Sequence, residues 1–243
     1  MSEERPILAA PDPERISRVR EMFGNIEGRY DFLNRLLSLR RDVSWRRFAV
    51  RRMRFPQTRR FLDVATGTAD LAVEAVRHHR EIGAVGIDFV PGMIEGARHK
   101  VGGAGRIRLL QGDALALPFA DGSFDVAAVA FGIRNMPDRL GALREMARVV
   151  VPGGQVMVLE MHLPEIPVVR PCYRFYLCRI LPRLAGALSG NPEAYQYLSE
   201  SIVAFPPPRV FSEIMRSAGL EAVECHSLTL GVTCLHIGNK PGR

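Results

Sequence analysis

The stretch Phe61-Leu-Asp-Val-Ala-Thr-Gly-Thr-Ala-Asp70, followed by a second acid at the end of the next apolar run, Ala84-Val-Gly-Ile-Asp88, constrains this chain more than any other feature. An apolar strand that breaks at a small-residue turn and enters a helix, with a carboxylate about 20 residues further on, is how an α/β protein holds an adenosine-containing ligand. The spacing departs from the dinucleotide fingerprint. A pyrophosphate needs close backbone approach at several glycines, whereas Ala65 and Ala69 flank Gly67 and leave one obligate glycine. Such a turn suits an uncharged or zwitterionic ligand. Asp63, at the strand end, suits a cationic amine and would repel a phosphate, and Asp88 is left for ribose hydroxyls. S-adenosylmethionine fits this set, although the same crossing also occurs where small residues serve only tight packing.

The rest of the chain alternates in the same manner. Apolar periodicity gives strands at 60–65, 84–89, 107–112, 124–131 and 155–162, with helices at 69–79, 91–100 and 138–150 between them. Pro152-Gly153-Gly154 is read as the turn into the last of these strands. Strands alternating with helices mean a parallel sheet covered on both faces. A helix at 208–218 and strands at 221–228 and 232–239 follow, and Gly231 between the strands predicts an antiparallel hairpin at the end of the sheet. Ahead of the first strand, Asp12-Pro13-Glu14 starts a helix carrying Ile16, Val19, Met22 and Phe23, and the spacing recurs at Leu33, Leu36 and Leu37 and at Trp45, Phe48 and Ala49. The domain reading is a basic helical extension, 1–59, packed on a core, 60–243, with a substrate lid at about 163–207.

Two further constellations fall on the carboxyl edge of that sheet. Asp113 ends the third strand, and its carboxylate with the Ala114 N–H can grip the amino group and ring nitrogen of an adenine, or it can simply cap a turn. Phe131-Gly132-Ile133-Arg134-Asn135 ends the fourth strand beside the reactive end of such a ligand, or is a tied-down loop. No metal site is expected. Methyl transfer from a sulfonium needs no enzyme nucleophile, metal or histidine base, because the substrate is the nucleophile and the enzyme aligns it and helps remove its proton.

Charge is unevenly placed. Residues 1–60 hold 15 arginines against 8 acids, while the remaining chain carries 18 basic and 18 acidic residues, so the whole basic excess lies ahead of the glycine turn. Basic segments attract nucleic acid or anionic lipid headgroups. The four cysteines, Cys172, Cys178, Cys225 and Cys234, have no ligand spacing and read as core thiols of a reducing compartment. With no signal peptide or apolar span, the expected localisation is cytoplasmic.

The chain resembles the ubiquinone/menaquinone C-methyltransferases from Val19 to Lys240. The resemblance rests on Arg29-Tyr30-Asp31-Phe-Leu-Asn34, Leu62-Asp63-Val-Ala-Thr-Gly67-Thr68, Gly112-Asp113-Ala114 through Pro118-Phe119, Phe131-Gly-Ile-Arg134-Asn135, Pro152-Gly-Gly154 to Leu159-Glu160, and Tyr195-Gln-Tyr-Leu-Ser-Glu-Ser201. It implies a class I S-adenosylmethionine-dependent methyltransferase (Rossmann-like) fold with a mostly parallel seven-stranded sheet. It implies cofactor contacts at Asp63, Gly67, Thr68, Asp88, Asp113, Ala114 and Phe131, and catalytic work at Arg134, Asn135, Tyr30 and Asp31. The implied substrate is a polyprenylated quinol, with methylation of demethylmenaquinol or of the ubiquinone precursor. On that reading Arg134, through a water, stabilises the phenolate while Asn135 holds a ring oxygen. A bilayer substrate gives the basic N-terminal helices a use, peripheral attachment at the inner face of the cytoplasmic membrane, with a homodimer as a candidate assembly. Ala69 stands where the family has glycine, so its methyl is expected beside the cofactor's methionine end. The competing readings are methylation of another phenolic or polyketide compound, and a nucleic-acid-binding protein that uses the basic N-terminus. Against nucleic acid, the aromatics of residues 1–60 fall mostly on apolar helical faces.

Overall fold

The computed structural model describes residue 38 and residues 40–102, 105–183 and 192–242. The helices expected before residue 38, with Tyr30 and Asp31, lie outside these residues.

The central strands are apolar on both faces, which fits strands covered by helices from both sides. In β1 (Arg60–Val64), Phe61 joins one hydrophobic cluster while Leu62 and Val64 join the other. The same alternation sends Val126 and Ala128 of β4 (Phe124–Ala130) to the first cluster and Ala127 and Val129 to the second. On the first face lie α1 (Arg41–Val50), α2 (Asp70–His78) and α3 (Pro91–Val101), the last with proline in its first turn, where no amide hydrogen is needed. On the second face lies α4 (Arg139–Val149), whose first turn is capped by Asp138 accepting from the Gly141 N–H at 2.8 Å. With β2 (Gly83–Asp88), β3 (Ile107–Gln111), β5 (Val150–Met161), β6 (Glu221–Leu228) and β7 (Thr233–Asn239), the sheet runs β3-β2-β1-β4-β5-β7-β6. β7 is antiparallel to both of its neighbours, as expected from the hairpin, and the other pairings are parallel.

Val64 is in register with Ile87 on one side and Val129 on the other, so β1, β2 and β4 end level. The strand order reverses between β1 and β4. Their carboxyl ends therefore open the crevice in which α/β ligands bind.

Two of these expectations need correction. β5 begins at Val150, because Val150 pairs with Phe124 and the register then shifts across Pro152-Gly153-Gly154, with Gly153 at φ 75; this motif is a bulge inside the strand. Cys172, Cys178 and Cys225 are exposed, and only Cys234 is a core thiol. The described part of the basic segment is stitched to the core: Asp125 accepts from the Gln57 and Thr58 amides at 2.9 and 2.8 Å, and Gln155 from the Arg54 amide at 2.8 Å.

Between β5 and β6 the chain forms α5 (Val169–Phe175), which continues into a π-helical turn (Tyr176–Ile180), then α6 (Pro192–Val203) and α7 (Pro208–Ser217).

Candidate active site

The turn after β1 alternates left-handed residues, Ala65 (φ 51), Gly67 (φ 55) and Ala69 (φ 65). A Cβ on Gly67 would meet nothing within 4 Å, so the backbone there faces open space. The turn is clamped from two sides. The Thr66 N–H donates to the Ile87 carbonyl (3.0 Å) and the Gly67 N–H to Asp88 Oδ2 (2.8 Å). Asp63 Oδ2 accepts from the Thr66 hydroxyl (2.7 Å) and the Ala72 N–H (3.0 Å), and so also satisfies an amide of the first turn of α2. Burial pushes the Asp63 carboxyl up to about 7; the Thr66 and Ala72 hydrogen bonds and the Arg46 charge act against that rise, and Asp88 adds to it. A cationic group arriving in the cleft would favour its ionised form.

Ala69 is fully buried in the cluster of Trp45 and Phe61 and does not line the cleft. Its methyl lies in the core, contrary to the expectation that it crowds a ligand. The left-handed backbone at this position turns the Cβ inward.

Asp88 accepts the Gly67 N–H on Oδ2 and the Val90 N–H (2.9 Å) on Oδ1, and burial raises its pKa. With the Phe89 N–H as a third backbone donor, the carboxylate keeps one lone pair for a hydroxyl. Next to it, Phe89 is 41% exposed and lines the cleft with an apolar ring. Asp113 Oδ1 accepts the Leu115 N–H (2.9 Å), so the capping role is real; the residue is nonetheless exposed and lines the cleft with Ala114. Thr68 accepts from Lys100 Nζ (3.1 Å), and Lys100 also pairs with Asp70.

The opposite wall is the loop after β4. Phe131 is left-handed (φ 60), and a Cβ on Gly132 would lie 2.8 Å from the Ala65 Cβ, so glycine is what lets this loop close on the β1 turn. Asn135 lines the cleft and its Oδ1 accepts from the Tyr197 hydroxyl of α6 at 3.2 Å. Arg134 is placed differently from the sequence expectation. It is buried behind the loop, outside the cleft lining, and its Nη1 donates to Glu160 Oε1 (2.7 Å) and the Phe131 carbonyl (2.6 Å). Glu160 Oε2 also accepts the Arg134 N–H (3.2 Å). The pair therefore holds the loop from behind.

Asp63, Gly67, Thr68, Asp88, Asp113, Ala114, Phe131 and Asn135 thus line one cleft, and Arg134 does not. The sequence reading missed Arg46. It reaches the cleft from α1, held by Asp42 (2.7 Å) and facing Asp70 (3.6 Å), with its guanidinium 5.3 Å from the Phe131 ring centre. Its signal was the Asp42-Arg46 spacing of one helical turn. Glu160 and Tyr197 were present in the quoted motifs without a role.

This strand order, with a switch-point crevice built from one glycine turn and two strand-end carboxylates, is the fold of the S-adenosylmethionine-dependent methyltransferases. Solved structures agree in fold: a Thermotoga maritima S-adenosylmethionine-dependent methyltransferase, described as a possible histamine N-methyltransferase, has a TM-score of 0.64 at 21% identity and covers 90% of this chain and 99% of its own. A putative S-adenosylmethionine-dependent methyltransferase from Methanococcus maripaludis also has a TM-score of 0.64, at 15% identity over 97% of this chain and 98% of its own. Sequence comparison is more specific. The ubiE/COQ5 methyltransferase family matches residues 13–240, and the chain belongs to that family. The ubiquinone/menaquinone biosynthesis C-methyltransferase of a Geobacter species is 46% identical over 93% of this chain and 98% of its own length. The demethylmenaquinone methyltransferase of Thermus thermophilus is 46% identical over 90% of this chain and its entire length.

Proposed function

We propose that the protein methylates a ring carbon of a polyprenylated quinol, with S-adenosylmethionine as methyl donor, in respiratory quinone biosynthesis. The observation that carries this reading is a single cleft with two chemically different ends: a carboxylate-clamped glycine turn at one, and Asn135, fixed by Tyr197 of α6, at the other. The donor set suits the cofactor. Asp88 would take the ribose hydroxyls, Asp113 and Ala114 the adenine edge, Asp63 the methionine amine, and Arg46 the methionine carboxylate. When bound, the cofactor supplies an electrophilic methyl.

The chain's own residues would then position the quinol. Tyr197 donates to Asn135 Oδ1 and so leaves the Asn135 amide hydrogens for a ring oxygen. Loss of a quinol hydroxyl proton places electron density on the adjacent ring carbon, which forms the new C–C bond as the C–S bond breaks; the ring proton then leaves. Electrostatic alignment of this kind needs preorganised donors more than an enzyme nucleophile. Arg134 is assigned a positioning role, since its guanidinium donates to Glu160 and to the Phe131 carbonyl beneath the loop. Tyr30 and Asp31 keep the catalytic roles that the resemblance implies.

The test is incubation of the purified protein with S-adenosylmethionine and a reduced short-chain demethylmenaquinol. The expected products are S-adenosylhomocysteine and a quinol heavier by one ring methyl. Turnover of simple phenols but not of the quinol would replace this reading with the phenolic one.

A further inference from the structure

The helical segment that follows β5 carries an apolar stripe on its solvent side. Val168, Pro171, Cys172 and Phe175, spaced as i, i+3, i+4 and i+7 along α5 and its cap, are all exposed. Val168 is 77% and Phe175 61% exposed, and Ile166 and Ile180 extend the stripe at either end. The opposite side of the same helix is anchored: Leu177 and Leu181 are buried with Ile202 of α6, and Tyr173 and Tyr176 pack against them. The turn at Thr229–Gly231 abuts the start of this segment, with a Gly231 Cβ falling 3.5 Å from the Pro164 Cα, and it adds Leu230 at 64% exposure.

The charge around the stripe has one sign. Residues 166–183 contain Arg170, Arg174, Arg179 and Arg183 and no acid, and all four arginines are exposed. Among the described residues none of the four forms a salt bridge. Of the described arginines ahead of the cleft, Arg46 pairs with Asp42 and Arg47 with Glu74, and the Arg52 guanidinium sits 3.4 Å from the Phe48 ring centre. Contiguous exposed apolar side chains mark an interaction surface, and guanidinium groups beside them select an anionic partner. No described helix is long and apolar enough to cross a membrane.

We propose that the solvent face of residues 166–183, together with Leu230, docks the protein on an anionic lipid bilayer. Val168 and Phe175 enter the headgroup boundary, and the four arginines meet lipid phosphates. The inference rests on the quinol reading, which places the substrate in the bilayer. Geometry links the two, because the π-helical turn packs on α6 and α6 carries Tyr197, whose hydroxyl reaches Asn135. Docking by the outer side of this segment brings the quinol end of the cleft to the lipid surface.

The experiment is co-sedimentation of the full chain with vesicles of equal phosphatidylglycerol and phosphatidylcholine, and with phosphatidylcholine alone. Binding is expected to the anionic vesicles, weakened by salt, with V168D/F175D and R174E/R179E each at least tenfold weaker. Both variants should bind S-adenosylmethionine and methylate a water-soluble quinol as the unmodified protein does. Undiminished vesicle binding by V168D/F175D overturns the proposal, as does loss of self-association in that variant with no change in vesicle binding, which makes the stripe an interface between copies. A folding defect is bypassed by Phe175→Trp: its emission should shift to the blue on anionic vesicles, and no shift overturns the docking face. Vesicle binding that depends on the stripe, without methylation of any quinol, would support docking while rejecting the quinol reading.

Discussion

Arg134 Nη1 lies 2.7 Å from Glu160 Oε1, with both side chains sealed from solvent beneath the loop that forms one wall of the cleft. A buried ion pair contributes little over a hydrophobic pair of equal volume, but removing one partner strands a charge in a low-dielectric interior, at a cost of about 3–5 kcal/mol. Arg134→Ala is therefore expected to lower unfolding free energy by that amount in urea denaturation, and Glu160→Gln by a similar amount. The double variant R134M/E160Q should lose less than the sum of the two. Single variants within about 1 kcal/mol of the unmodified protein would show that the pair does not hold the loop.

Asp63 gives a pH signature. Its folded-state pKa of about 7 lies above its ordinary value of 3.8. Between those values the folded protein keeps a proton that the unfolded chain has lost, so this residue makes stability fall as pH rises, by at most about 1.4 kcal/mol per pH unit. His162 acts in the opposite sense. Burial lowers it from 6.5 to about 3, so below pH 6.5 the unfolded chain takes the extra proton and stability falls as pH falls. The two oppose each other over the acidic range they share. Asp63→Asn should unmask the His162 slope, making the protein lose stability more steeply on acidification from pH 6.5. A methionine amine beside Asp63 would expel its proton, so cofactor affinity should rise with pH up to about 7 and level off above it. Calorimetry across this range checks the effect, and Asp63→Asn should flatten it.

The sheet was legible because its evidence is local. Strands of Phe, Leu, Val and Ala separated by helix-period segments have few other ways to fold, and Asp63, Asp88 and Asp113 declare the carboxyl edge by ending three of them. The misplacements share a different cause. Arg134 reads as a free loop cation until Glu160, from the neighbouring strand β5, is brought beneath it. Ala69 reads as crowding a ligand until its left-handed backbone turns the methyl into the core. Each needed a tertiary neighbour or a backbone handedness that composition does not encode.

Arg46 supplies a direct test of how the N-terminal helix serves the cleft. Held by Asp42 and standing over Phe131, it presents a guanidinium to the cleft, where the proposed reading puts the methionine carboxylate. A charged hydrogen-bond partner of this kind contributes about 1.5–3 kcal/mol, so Arg46→Ala should weaken S-adenosylmethionine binding by about tenfold to a hundredfold in titration calorimetry. Arg47→Ala, which removes a half-exposed partner of Glu74, should leave the affinity unchanged. Equal losses in the two variants would point to destabilisation of α1, with no specific contact at Arg46.

Two small substitutions separate the walls of the cleft from its core. Gly132→Ala would place a methyl 2.8 Å from the Ala65 Cβ, which no rotamer change can move, and 3.1 Å from Val129 Cγ2. The β4 loop must then retreat from the β1 turn, and Asn135 with it. Cofactor affinity and quinol turnover are both expected to fall at least tenfold. Ala69→Gly acts on the other side of the turn. It relieves a left-handed alanine, a gain of about 1 kcal/mol, and removes a buried methyl, a loss of about 0.8 kcal/mol. Stability should change by less than about 1 kcal/mol, and S-adenosylmethionine affinity should stay within twofold. A large gain in affinity would return the Ala69 methyl to the ligand's side of the turn.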